Sequence, residues 1–380
     1  MRIAVLGGGN GAHAMTADLT MGGHEVNMCE LPEFRRNIAA AQVYGGIQLI
    51  LRDSFEWDPS TPAGKEFTTP IGGKSGFAKI TGKVTTDIAE AVKGVEIINL
   101  VVPAFGQEQW FERLIPHLQD GQMVVVHPGN FGSLVLRRMM QDRQVVKDVT
   151  VAETESLIYA TNVVSPGVSR VVAVKQKVAL SAFPATDTTK MLAALGKVFP
   201  EFYRVANVLE ATFNNGNFVL HPPTMVCNAG QIEKLGPYRQ YHYDVTPSVA
   251  RVIEKVDEER IALGKALGLG LTTFKDSIIR YYGMASADDT LYQALCKTYG
   301  YRHTGPPHLK HRYLSEDVPF GLCPLSSFAD ELDVRTPTMD ALIQLASVYN
   351  ETDYWKESRT LQQMGLRGLD AKEILRVVNG

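Results

Sequence analysis

Residues 1–30 read MRIAVLGGGNGAHAMTADLTMGGHEVNMCE. The apolar run Ile3–Leu6 leads into Gly7-Gly8-Gly9-Asn10-Gly11-Ala12, a GxGxxA arrangement. "HAMTADLTMGG" then reads as a helix closed by Gly22-Gly23, and "HEVNMCE" as a second strand ending on Glu30. In such a strand–turn–helix, Gly7 permits the tight turn and Gly9 lets the backbone approach a pyrophosphate. Ala12 lets the helix pack closely on the strand, and the helix N-terminus offers free N–H groups to phosphate. Glu30 lies 23 residues after Gly7, close to the ~20 residues at which a carboxylate accepts from the adenosine ribose. A carboxylate there repels a 2′-phosphate, so NAD (as NADH) is favoured. Arg35 and Arg36, just beyond, keep NADP from being excluded. The same stretch imitates a secretory leader, but four apolar residues interrupted by glycines are too short an h-region, so none is expected.

Working outward, strand and helix signals alternate. "TTDIAEAVKG" reads as a helix, "VEIINLVVP" as a strand, "EQWFERLIPHL" as a helix and "QMVVVHPG" as a strand. Alternating βα units with continuously apolar strands imply a parallel sheet covered on both faces. "VTVAETESLIYA" and "SRVVAVKQKVALSAF" add β-rich segments. After about residue 205 the pattern turns helical. In "TPSVARVIEKVDEERIALGKALGLG", Thr246 is a candidate N-cap, Pro247 a first helical residue and Gly268 a stop; Thr336 and Pro337 repeat the design. The fold class expected is therefore α/β: an N-terminal Rossmann-type doubly wound parallel sheet over 1–205, and a C-terminal all-helical domain over 206–380. The proline-rich stretch 299–325 reads as a long irregular loop, and such loops are often functional.

Bulk properties narrow the classes. A net charge of −3 over 380 residues gives no electrostatic case for nucleic acid or an anionic membrane. The longest apolar stretches, such as "VEIINLVVPAF", fall well short of the ~20 residues of a membrane helix. Cys29, Cys227, Cys296 and Cys323 are scattered with no CxxC pair, so no metal site or disulfide framework is indicated and a cytoplasmic setting is expected. A homodimer is left open.

Val102 and Pro103 end a strand where such sheets present ligands, and Pro103 is placed against the nicotinamide half. His127 and Asn130 follow the next strand and read equally well as strand-terminating turns. The cofactor-binding set is thus Gly7, Gly9, Asn10, Gly11, Ala12, Glu30, Val102 and Pro103. Hydride transfer to a C=O or C=N bond also needs a proton source. His221, in "NNGNFVLHPPTMVCNAGQIEK", is the candidate. Pro222 and Pro223 place it at a helix junction, where a helix N-terminus keeps imidazole neutral; Asn214, Asn215 and Asn217 make the surroundings polar. In "HRYLSEDVPFG", Arg312 is suited to a carboxylate. Asp317, in an extended stretch, is suited to orienting His221, with Glu316 as its competitor.

These motifs carry a resemblance. "GGGNGAHA", "VPAF", "HPGNFGS", "ETESLIYA", "HPPTMVCNAGQIE", "DEER", "RYLSEDVPFGL" and "RTLQQMGL" together resemble the opine dehydrogenase family of octopine and nopaline dehydrogenase type. The resemblance implies a Rossmann domain packed on a helical domain, with the active site in the cleft. It implies His221 as catalytic histidine, Asp317 as its partner and Arg312 as the substrate-carboxylate residue. It also implies reductive condensation of an amino acid with an α-keto acid such as pyruvate. The chain departs from the family's "ETxTLPYA" at Ser156 and Ile158, so the amino acid is not transferable.

Two other readings compete. One is a two-domain dehydrogenase acting on a single hydroxy or keto acid, with Lys234 near Asn228 as its pair; it would oxidise NADH with a keto acid alone. The other is a non-catalytic NAD sensor, which would bind NADH without turnover.

Overall fold

The computed structural model describes residues 1–51, 74–235, 244–298 and 305–380. Twelve strands carry the first half: β1 Arg2–Leu6, β2 Glu25–Cys29, β3 Gly46–Leu51, β4 Gly76–Lys79, β5 Val84–Thr85, β6 Ile97–Leu100, β7 Met123–Val126, β8 Thr150–Thr154, β9 Tyr159–Ser165, β10 Val168–Val174, β11 Val178–Phe183 and β12 Phe202–Arg204. Eight of them form one sheet in the order β12-β11-β8-β7-β6-β1-β2-β5. Its pairs are parallel except β8 with β11. The doubly wound sheet is therefore as expected, with one antiparallel pair added. β1 is an interior strand, and all but its first residue are buried. Ala4 and Leu6 enter one core, Ile3 and Val5 the other, as the period of two in a strand requires. Strand order reverses at β1, which lies between β2 and β6. Leu6 sits level with Cys29 and with Leu100, so Gly7, Glu30 and Val101 meet at one sheet edge, where such folds hold ligands.

The β-rich stretch after β8 does not all join this sheet. β9 and β10 pair with β3 and β4 in a separate four-stranded sheet, β4-β3-β10-β9, packed on the first helix, Asn10–Met21. From Val208 onward the described residues form helices. Their apolar faces join the core on the Ala4/Leu6 side of the sheet. In the helix Pro247–Ala266, Thr246 Oγ1 accepts from the Val249 N–H at 3.3 Å. The helix Pro337–Asn350 is capped differently. Thr336 makes no cap bond; instead Glu259 of the long helix accepts from Thr338 N and Met339 N at 2.9 and 3.0 Å. No helix among the described residues is long and apolar enough to cross a membrane.

The proline-rich segment departs from the loop expected. Residues 299–304 lie outside the described residues. Beyond them come the turn Arg312–Ser315, a π-helical turn Val318–Leu322 and the helix Cys323–Glu331.

Candidate active site

The glycine loop has the shape that its residues dictate. Gly7 adopts φ +122°, and a Cβ there would stand 2.5 Å from Val101 O and 2.9 Å from Val102 Cγ1. A Cβ at Gly11 would stand 2.5 Å from Leu157 Cδ2, and Ala12 is fully buried. At Gly9 a Cβ would meet no atom within 4 Å. The protein's own packing therefore does not demand glycine at position 9; a group lying against the loop would. Asn10 Oδ1 accepts from Val163 N at 3.2 Å, which ties the loop to β9. Pro103 starts the helix Ala104–Leu114 beside this crevice, and Val102 and Pro103 remain partly exposed.

Glu30 is buried at the end of β2. Its Oε1 accepts from Leu31 N at 2.8 Å and its Oε2 from Asn37 Nδ2 at 3.1 Å. Burial raises its pKa, while the Asn37 and backbone donors oppose that rise. Arg35 and Arg36 lie exposed on the 3-10 turn Pro32–Asn37. Two further loop residues escape the motif reading. Gly8 fits against Glu30, since a Cβ would lie 2.7 Å from Glu30 Oε2. His13 Nδ1 donates to Gly9 O at 3.0 Å and pins the turn.

Across the cleft, His221 Nδ1 lies 2.7 Å from Asp317 Oδ2 with both side chains buried. The His221 ring stacks on Tyr313 at 3.5 Å between centroids and 6° between planes. His221 is not at a helix junction. It sits within the continuous helix Gly216–Cys227, which carries Pro222 and Pro223 in its interior. Every residue from Phe218 to Val226 is buried, and that tertiary packing overrides the prolines' local preference. The polarity expected from the asparagines also has another use. Asn214 holds Arg260 and the Thr272 N–H, while Asn215 caps the helix and binds Asn130.

Asp317 is likewise not extended: its φ and ψ are −72° and −20°. Its carbonyl accepts from Leu322 N at 3.0 Å, a bond that opens the π-helical turn. Gly321 lets that turn press on Phe218, whose ring a Cβ would meet at 2.2 Å. Glu316 is directed elsewhere. Its Oε1 accepts from Ala104 N at 2.9 Å, and its Oε2 lies 3.4 Å from Arg312 Nη1. The Arg312 side chain remains 54% exposed, so its guanidinium has donors to spare.

Burial pushes the Asp317 carboxyl up to about 8, against the pull of Arg312. Burial, then the Arg312 charge, pushes His221 well below its usual value. At 2.7 Å the two titrate as one unit. With Nδ1–H given to Asp317, the ring's Nε2 is left without that partner and is free to accept a proton.

His127 is a structural histidine. It is fully buried between Asn99 at 3.0 Å and Thr154 at 3.3 Å, and burial lowers it to about 3. Lys234 is exposed at the end of the helix Ala229–Leu235, whereas Asn228 Nδ2 bonds Thr224 O at 2.8 Å. Sequence reasoning gave no role to Arg359, although it opens the late "RTLQQMGL" segment. It is fully buried, donates to Gln107 Oε1 at 2.9 Å and to the Asn130 and Ala104 carbonyls, and lies over the Phe320 ring at 5.2 Å. It locks the sheet's edge to the π-helical turn that carries Asp317. No local pattern flags such an arginine, because all its partners are distant in sequence.

Residues 204–350 match the family model for the α-helical domain of NAD/NADP octopine/nopaline dehydrogenase. The chain is 34% identical over 373 residues to an opine dehydrogenase of an Arthrobacter species, covering 98% of this chain and 97% of that protein. Among solved structures, an octopine dehydrogenase with NADH and L-arginine superposes with a TM-score of 0.76 at 22% identity, covering 100% of this chain and 98% of the other. An NADP+-bound yersinopine dehydrogenase gives 0.68 at 16%, with coverages of 100% and 98%.

Proposed function

The chain belongs to the opine dehydrogenase family, and on that premise we propose the residue roles that let it condense an amino acid with an α-keto acid and reduce the product. It is an NAD(P)-dependent dehydrogenase. Relatives solved with NADH together with L-arginine or with pyruvate support small acids of these two classes as substrates. The 1–205 and 206–380 division belongs to the same reading, supported by the last strand, Phe202–Arg204, and the helix Val208–Phe213 that follows. A cytoplasmic setting is supported by four free thiols.

The observation that carries the assignment is the buried 2.7 Å contact of His221 with Asp317. The loop Gly7–Ala12 and the N-terminus of the helix it opens would hold the pyrophosphate. Glu30 would accept from the ribose and favour NAD, and Val102 and Pro103 would flank the nicotinamide end. When bound, the dinucleotide supplies the hydride that reduces the C=N carbon.

The chain's own residues handle the rest. Arg312 clamps a substrate carboxylate. His221 Nε2 takes a proton from the amino acid's ammonium, and Asp317 stabilises the imidazolium so formed. The freed amine attacks the keto carbon. The proton returns as the carbonyl oxygen leaves in water, giving the protonated imine. Reduction of that bond to a secondary ammonium consumes one further proton, which the pair takes up from solvent through His221 Nε2 and supplies at the nitrogen.

The test is NADH oxidation with keto acids and amino acids, singly and in pairs. Oxidation is expected only when one of each is present. Oxidation with a keto acid alone points instead to a single-substrate dehydrogenase.

A further inference from the structure

The cleft holds a cation that none of these steps uses. Lys175 directly follows β10, and its Nζ donates to Leu157 O at 2.7 Å. Leu157 is the residue packed over Gly11 of the glycine loop. The same ammonium faces the Tyr281 ring at 5.2 Å, and Tyr281 meets Tyr282 edge-on at 6.0 Å. Tyr282 lies within electrostatic reach of Tyr313, the ring stacked on His221. The charge of Lys175 is felt at His221. The lysine thus holds the segment packed over the glycine loop and lies within electrostatic reach of His221.

Its partners do not balance its charge. Glu155 is the carboxylate acting on it. That group is already engaged by Arg280 Nη2 at 3.0 and 2.8 Å and by Ala179 N at 2.6 Å. Among the described residues no carboxylate lies within 4 Å of Lys175. An ammonium withdrawn from water without an anion is costly, and burial accordingly pulls this one down to about 8. An incoming carboxylate would relieve that cost.

The reaction brings two such carboxylates. Each substrate carries one beside its reacting carbon, and the product carries both, whereas Arg312 accounts for one. We propose that Lys175 anchors the second substrate carboxylate, so that Lys175 on the sheet side and Arg312 on the helical side grip the two ends of the secondary amine dicarboxylate. This rests on the reading of the His221 site given above. It also assigns a use to the departure at Ser156 and Ile158, which bracket the Leu157 carbonyl that holds Lys175.

The experiment is a crossover in steady-state kinetics at saturating NADH. It uses pyruvate and pyruvamide, together with the amino acid that pairs with pyruvate and its carboxamide. Lys175→Met is expected to raise the KM of one acid at least tenfold, and that penalty should vanish when the same acid is supplied as its amide. The penalty of Arg312→Lys should vanish with the other amide. Lys175→Arg, which keeps the charge, should recover part of the loss, and NADH affinity should be unchanged in all three variants. Unchanged KM values for both acids in Lys175→Met, or both substitutions answering to the same amide, would overturn the proposal. His221→Ala is run alongside. If it is inactive while Lys175→Met is normal, Lys175 alone is refuted; if it is active, the reading of the site itself fails.

Discussion

The two ends of the cleft are built on different principles. At the glycine loop the geometry is made by backbone, within one stretch of thirty residues: Gly7 turns, Gly9 leaves open space, and Glu30 closes the edge. At the His221–Asp317 end it is made by side chains brought from afar. His221 and Asp317 are 96 residues apart, and Arg359 reaches 255 residues back to Ala104. The first site is specified by what residues lack, a Cβ above all. The second is specified by packing that overrides local preference, because a histidine inside a proline-bearing helix meets an aspartate on a π-helical turn.

If that contrast is right, damage should separate cleanly. His221→Ala should lower the hydride-transfer rate by about 10²–10⁴-fold, the usual contribution of a positioned acid–base group, with NADH affinity unchanged by fluorescence titration. A loss of NADH binding would mean that the two ends are not independent. The pH profile sharpens the same end. Burial raises the Asp317 carboxyl to about 8, so the proton held within the contact is present below that pH and lost above it. The rate of imine reduction should therefore fall about tenfold per pH unit beyond that point, and oxidation of the secondary amine should show the opposite limb. A rate flat from pH 6 to 10 would contradict it.

Smaller effects are expected at the loop, and they should split by position. Gly7→Ala forces a Cβ onto Val101 O at φ +122°, and should lower stability by roughly 1–3 kcal/mol, read as a drop in Tm. Gly9→Ala touches nothing, so Tm should hold while NADH affinity falls by about ten- to a hundredfold. Equal Tm losses in both would show that Gly9 serves packing alone. The smallest effect expected is Glu30→Ser. It removes the carboxylate proposed to accept from the ribose and should narrow the NADH-over-NADPH preference by about tenfold, as ~1.4 kcal/mol of lost discrimination. An unmodified protein that binds NADPH more tightly would shift the assignment to Arg35 or Arg36.

The contrast also explains what could be read from the chain. Gly7, Gly9 and Glu30 lie in one βαβ unit whose spacing carries its own physics, so the loop and the parallel sheet were legible from residues alone. His221, Asp317 and Arg312 were legible mainly as a family likeness, since no periodicity ties position 221 to 317. Local rules misplaced their backbones. Pro222 and Pro223 suggested a helix break, but the burial of residues 218–226 carries the helix through. Val318-Pro319 suggested an extended run, yet the Leu322 N to Asp317 O bond makes a π-helical turn. The second sheet was missed because the β9–β10 hairpin joins the β3–β4 pair through β10 and β3, which lie more than a hundred residues apart. Arg359 and Lys175 carry no local signal at all, because their partners are carbonyls, rings and, for Arg359, the Gln107 side chain, all from other elements.

The central claim is that His221 and Asp317 act as one unit. The direct measurement is single-turnover hydride transfer, by stopped-flow NADH absorbance, in His221→Ala, Asp317→Asn and the double variant. Asp317→Asn keeps the shape but cannot stabilise an imidazolium, so it too should lose much of the rate. Groups that work as a unit fail together. The double variant should therefore be scarcely slower than His221→Ala alone. If the two losses multiply instead, or if His221→Ala turns over at a near-normal rate, the pair does not handle the proton and the account is wrong.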